Sequence, residues 1–89
     1  MLIIKKFSAS WCKPCLALEK IMADIMPSYD TNIVYEKIDI EEDIDLTEKY
    51  QIRGVPTMVF EVDGKIVERI VGLKSGNEIK SIIDQYVKV

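Results

Sequence analysis

Two cysteines separated by two residues, Cys12-Lys13-Pro14-Cys15, stand where the hydrophobic period of the chain changes. Upstream, Leu2 to Phe7 is a short apolar run carrying Lys5 and Lys6 and ending at Ser8-Ala9-Ser10, the pattern of a strand. Downstream, Cys15, Leu18, Ile21, Met22 and Ile25 recur at three- and four-residue steps. Pro14 falls in the first turn, where a missing N–H costs nothing, and Met26-Pro27 ends the run, so the spacing predicts a helix of about four turns. The pair is therefore placed on a strand-to-helix turn. A sulfur at a helix N-terminus meets unpaired N–H groups and the positive end of the dipole, both of which favour its thiolate, and the charge of Lys13 acts in the same sense. Cys15, one turn further on, shares a face with Cys12 and can resolve a mixed disulfide, while Pro14 stiffens the turn between them.

Composition narrows what such a pair can do. The 89 residues have room for one domain, expected to span 1–89, and contain no histidine and two cysteines. Catalytic triads, Cys-His pairs and His-ligated zinc or haem are excluded, so proton transfer falls to Cys, Lys, Asp, Glu or Tyr. Two cysteines cannot fill a four-ligand zinc cage within one chain; a metal would have to be shared between two copies. No resident metal or cofactor is expected. A net charge of -3 argues against nucleic acid as a partner. No apolar run approaches the roughly 20 residues of a membrane span, and MLIIKKFSAS has the wrong order for a signal peptide. The chain is expected to be cytoplasmic and monomeric, away from membranes, and a Cys pair in that reducing compartment is more often redox-active or metal-binding than a static staple.

The remaining segments complete an alternating pattern. Ser28 to Asn32 reads as a polar loop and Ile33 to Ile38 as a strand. The acidic stretch from Asp39 to Asp45, including Glu41 and Glu42, reads as a solvated loop in which Asp43 caps a short helix ending near Tyr50. Thr57 to Val62 and Lys65 to Val71 are joined by Asp63-Gly64, which favours a type I′ hairpin because both positions tolerate positive φ. Ser75-Gly76-Asn77-Glu78 is a capping box ahead of a helix whose apolar face is Ile79, Ile82, Ile83 and Tyr86. The order β-α-β-α-β-β-α predicts an α/β fold with a four-stranded mixed sheet flanked by helices.

Ser8-Ala9-Ser10-Trp11-Cys12-Lys13-Pro14-Cys15 resembles the thioredoxin active-site segment, in which glycine usually stands in place of Lys13. Tyr50-Gln51-Ile52-Arg53-Gly54-Val55-Pro56-Thr57 resembles the loop that holds a cis-proline in that family, and Asp63-Gly64 and Gly72 match its later hairpin and glycine. The resemblance spans nearly the whole chain and implies a minimal thioredoxin fold. Pro56 would be cis and face the Cys pair, with Val55, Thr57 and Gly72 around a groove for extended substrate and Trp11 packed beside it, covering part of the groove. It also implies a thiol–disulfide oxidoreductase in which Cys12 attacks and Cys15 resolves, acting on disulfide-containing proteins. The electron donor would be a reductase of the thioredoxin reductase kind. Glutathione, the donor of the glutaredoxin alternative, fits less well because Gly72-Leu73-Lys74-Ser75 stands where a Gly-Gly-x-Asp segment is expected. A non-catalytic binding module using Trp11, Val55 and Pro56 is a further reading.

The chain departs from the family pattern in places that matter. It starts at the central strand, so Ile33 to Ile38 becomes a sheet edge guarded by Glu36 and Lys37. Lys6 occupies the position of the family's buried acid, whereas Lys37 matches the lysine paired with that acid. Alternation puts Lys6 on the face of Leu2 and Ile4, beneath Cys15, either as a charge or as a base for its thiol, the alternative being an amine that snorkels to water. Lys13 should favour the thiolate and make the disulfide more oxidising than a glycine there would.

Overall fold

The strands form because apolar and β-branched residues run between turn signals, and a computed structural model places them as expected for residues 1–29 and 33–87, the residues it describes. The order is β1 (Leu2–Ser8), α1 (Lys13–Ile25), β2 (Ile33–Asp39), α2 (Ile44–Lys49), β3 (Thr57–Val62), β4 (Lys65–Val71) and α3 (Gly76–Tyr86). The strands hydrogen-bond in the order β2-β1-β3-β4. β1 runs parallel to β2, with α1 as the crossover, and antiparallel to β3, which pairs with β4 through the hairpin. This is a four-stranded mixed sheet flanked by helices.

Alternation along β1 divides the core. Leu2 and Ile4 face α1 and α3, where they pack with Leu18, Met22, Phe60, Ile79 and Ile83. Phe7 turns the other way and meets Ile38, Val59, Leu46 of α2 and Tyr50 at the C-cap of that helix, with the Phe7 and Tyr50 rings 5.6 Å apart. Each fully buried aliphatic side chain of this kind contributes about 1.5–3 kcal/mol.

The local signals act as anticipated. Asp63 and Gly64 both take positive φ, 53° and 80°. Ser75 and Glu78 complete the capping box of α3, and Asp43 caps α2 by accepting from the Leu46 N–H at 3.2 Å. Among the acidic stretch, Glu41, Glu42, Asp43 and Asp45 are exposed. Past Ile25 the chain tightens into a single 3₁₀ turn, Met26–Ser28, in which the Ser28 hydroxyl donates to the Ile25 carbonyl at 2.7 Å. Of the expected loop from Ser28 to Asn32, positions 30–32 lie outside the described residues.

β2 is one of the two edges of the sheet, and its exposed charges Glu36 and Lys37 also form ion pairs with the neighbouring elements. Glu36 is gripped by Lys5 of β1 at 2.7 Å, with Glu61 of β3 3.9 Å from the same amine. Lys37, on the opposite face, reaches back to α1.

Candidate redox site

The pair sits where β1 hands over to α1. The Cys12 N–H donates to the Ala9 carbonyl at 3.2 Å, closing the turn after β1. Cys12 then takes extended backbone, φ -96° and ψ 113°, as the N-cap of α1. Its sulfur accepts the N–H of Cys15 at 3.2 Å, one of the donors that a helix start leaves unpaired. Pro14 lies within the first turn, where it interrupts no hydrogen bond. The two Cα atoms are 5.2 Å apart and the sulfurs are joined in a disulfide. Cys12 and Cys15 are only 5% and 4% exposed, on an apolar bed of Ala9, Ile40 and Val55, whereas Lys13 and Pro14 point to solvent.

Opposite stands the loop before β3. The Val55–Pro56 peptide is cis, and the Val55 carbonyl oxygen lies 3.8 Å from the Cys12 sulfur. Thr57, which is buried, donates its hydroxyl to the Gly54 carbonyl at 2.7 Å and so closes the loop on itself. The Gly72 N–H, just past β4, donates to the Pro56 carbonyl at 2.8 Å. Gly72 has φ 92°, a conformation that L side chains rarely adopt. Trp11 differs from the packing role expected of it: it is 65% exposed and forms an apolar projection beside the pair. The sequence-predicted residues Trp11, Cys12, Lys13, Pro14, Cys15, Val55, Pro56, Thr57 and Gly72 thus lie along the α1 start and the facing loop and hairpin.

Lys6 and Lys37 form a separate cluster under α1. Lys6 is 1% exposed, and its amine hydrogen-bonds one carboxylate oxygen of Glu19. Lys37 binds the other oxygen at 2.7 Å. Alternation along β1 predicts the Lys6 amine beneath Cys15, and the structure supplies that amine with a carboxylate from α1. Hydrogen bonds from Lys37 and then Lys6 hold the Glu19 carboxyl below its ordinary value, against the opposing effect of burial. Both amines lie 5.9 Å from the centre of the Tyr35 ring. The Tyr35 hydroxyl is buried with no hydrogen-bond partner among the described residues, and burial, followed by the Glu19 charge, pushes its phenol up. The signal for Glu19 was present in the sequence: a lysine at a core-facing strand position needs a counter-charge, and Glu19 is one turn beyond Cys15.

Two sulfurs that can alternate between dithiol and disulfide, displayed by a helix start against a cis-proline loop, place the protein among the protein-disulfide oxidoreductases. Comparison with known proteins narrows the class: the thioredoxin family model matches residues 1–85, and the chain belongs to the thioredoxin family. It is 31% identical over 85 residues to a thioredoxin of Chlorobaculum thiosulfatiphilum, covering 96% of this chain and 79% of that one. Among solved structures, it is similar to a mutant thioredoxin from Halobacterium salinarum, at 35% identity and TM-score 0.87, over 99% of this chain and 76% of the other. A thioredoxin from Nicotiana alata superposes with TM-score 0.90 at 32% identity, over 98% and 74% of the two chains. Membership implies disulfide substrates and a reducing partner in general terms. Among the described residues, no helix is long and apolar enough to cross a membrane.

Proposed function

We propose that the protein reduces disulfides in other proteins through the Cys12-Lys13-Pro14-Cys15 dithiol, with Cys12 as nucleophile and Cys15 as resolving cysteine. The Cys12 thiolate attacks one sulfur of the substrate disulfide, forming a mixed disulfide and releasing a substrate thiolate that takes up a proton. Cys15 loses its proton, its thiolate attacks the Cys12 sulfur, and the second substrate thiolate leaves and is protonated. Two electrons pass to the substrate, and the Cys12–Cys15 disulfide remains. A reductase must then return two electrons to it; a flavin enzyme of the thioredoxin reductase kind fits better than glutathione.

The observation that carries this reading is the Cys15 N–H aimed at the Cys12 sulfur across 3.2 Å, since a preset donor favours a thiolate there. Val55, Pro56 and Thr57 would bind an extended substrate segment, Gly72 would support that loop, and Trp11 would supply an apolar contact. Lys13 would stabilise the thiolate, and Lys6 and Lys37 would set the charge near Cys15. A disulfide reductase of this kind works where the pair is kept reduced, which suits the cytoplasm.

Reduction of insulin disulfides, driven either by NADPH with a thioredoxin reductase or by glutathione, tests the reading. Turnover with the reductase, its loss in Cys12→Ser, and accumulation of a substrate-linked mixed disulfide in Cys15→Ser are expected. Undiminished turnover in Cys12→Ser would overturn it.

A further inference from the structure

Glu19 belongs to none of the motifs that point to redox chemistry, yet it organises the charge beneath Cys15. The two residues are four apart on α1, so their side chains leave the same face about 6 Å apart along the axis. That face rests on the sheet, and the parallel register sets Lys6 of β1 directly beside Lys37 of β2. One carboxylate receives both amines, one per oxygen.

The burial of the members differs, and this decides the sign of their effect. Lys6 is 1% exposed, whereas the Glu19 side chain is 38% exposed. A buried charge is screened far less than one at the surface, so the field reaching Cys15 is dominated by the ammonium of Lys6. An ammonium without a counter-charge is not kept in such a place: it loses its proton or withdraws to water. Glu19 is therefore the condition for having a cation there at all.

The other groups around Cys15 do not compete. Ala9, Ile40 and Val55 are apolar, Lys13 points to solvent, and Tyr35 of β2 is a neutral phenol. Asp39, at the end of β2, has its carboxylate on the backbone N–H of Glu41 at 2.8 Å. Cys12 on α1 is the reaction partner itself.

We propose that Glu19 is a positioning residue for the resolving step: by pairing with Lys6 and Lys37 it holds a buried positive charge one helical turn from Cys15, and that charge favours the Cys15 thiolate. This rests on the reading of Cys15 as the resolving cysteine. In the step, Cys15 gives its proton to water and its thiolate bonds to the Cys12 sulfur. The Cys12–substrate bond breaks, and the substrate leaves as a thiolate that is reprotonated from water. Lys6 and Glu19 neither gain nor lose a proton.

The experiment is a carbon NMR titration of the Cys15 Cβ in the reduced protein, for wild type, Lys6→Met, Lys6→Arg, Glu19→Gln and Glu19→Asp, with amide spectra to verify that each is folded. Lys6→Met and Glu19→Gln should each raise the Cys15 midpoint by about one pH unit, the size expected from losing one nearby opposite charge. Each should also slow resolution of a mixed disulfide on Cys12 about threefold at neutral pH, because a tenfold smaller thiolate fraction is partly offset by the greater nucleophilicity of the more basic thiolate. Lys6→Arg and Glu19→Asp should stay close to wild type. An unmoved midpoint in Lys6→Met would overturn the proposal, as would a fall in Glu19→Gln, which would mean that Lys6 keeps its charge unaided. Because Glu19→Gln replaces a part-exposed side chain, it keeps the test available should Lys6→Met not fold. Resolution that persists in Cys15→Ser would instead refute the underlying reading.

Discussion

The Cys15 N–H donates to the Cys12 sulfur at 3.2 Å, so the cysteine read as the nucleophile is also the N-cap of α1. Cap and nucleophile make separable demands, because a cap needs any good acceptor and a redox centre needs sulfur. Cys12→Ser should abolish disulfide reduction while keeping a cap, since serine is among the preferred N-cap residues. Cys12→Ala should abolish reduction as well and be less stable than Cys12→Ser by about 1 kcal/mol. Urea unfolding of both variants under reducing conditions measures the difference; equal stabilities would show that the cap contributes nothing.

Gly72 ties the cis-proline loop to the hairpin through its N–H on the Pro56 carbonyl, and it does so at φ 92°. A Cβ at this position would meet nothing within 4 Å, so the cost of Gly72→Ala is one of backbone conformation rather than of a clash. The expected loss is about 1–2 kcal/mol. Gly54, two residues before Pro56, also has open space but lacks a positive φ, so Gly54→Ala should fall within about 0.5 kcal/mol of wild type. Denaturant midpoints that do not separate the two alanine variants would contradict the account.

The elements most legible in the sequence are those governed by local chemistry. The strand-to-helix change of period at the Cys pair, the Asp63-Gly64 turn, the Ser75 and Glu78 box and the Asp43 cap each follow from a few adjacent residues, and each stands in the structure. The cis state of Pro56 was legible only by resemblance, since an isolated X-Pro pair is trans far more often. The charge cluster was half legible. Alternation turned Lys6 inward, but Glu19 sits among the non-core positions of α1, between the buried Leu18 and Met22, where it resembles an ordinary solvated acid. Its partners come from two strands, and only the parallel register of β1 and β2 brings them within its reach. The same holds on the other face, where Lys5, Glu36, Glu61 and Tyr50 meet from three strands and a helix end. The register shift between Phe60 and Glu61 likewise leaves no mark in the apolar pattern.

Tyr50 offers a test at high pH. Its hydroxyl donates to the carboxylate of Glu61, itself a buried side chain. Burial, and then this hydrogen bond, push the phenol from 10.0 up to about 12. A folded-state value raised above the unfolded one gives stability that is fully present below pH 10 and is lost as the pH rises towards 12. Tyr29, which donates to Asp84 at 2.8 Å and is also raised to about 12, behaves in the same way. Stability measured from neutral pH into that window should therefore fall more steeply for wild type than for Tyr50→Phe. The slope that remains in the variant should diminish again in the double variant with Tyr29→Phe. A wild-type profile that falls no more steeply than that of Tyr50→Phe would sink the prediction.

Glu19 gives the complementary test in acid. Its folded-state value is held below the ordinary 4.5, chiefly by the hydrogen bond from Lys37 and then by the one from Lys6. A depressed value means stability present above pH 4.5 and lost as the pH falls through the folded-state value, because protonation leaves two lysines facing a neutral acid. Wild type should therefore lose stability faster than Glu19→Gln below pH 4.5, and the two pH profiles should run parallel above it. Lys37→Met should remove most of the difference in slope, since its hydrogen bond is the largest cause. The Glu19 side chain is 38% exposed, so added salt should flatten the wild-type profile towards that of the variant. Profiles that remain parallel through the acid range would show that Glu19 titrates as an unpaired carboxyl, and that Lys6 is balanced by something other than the acid on α1.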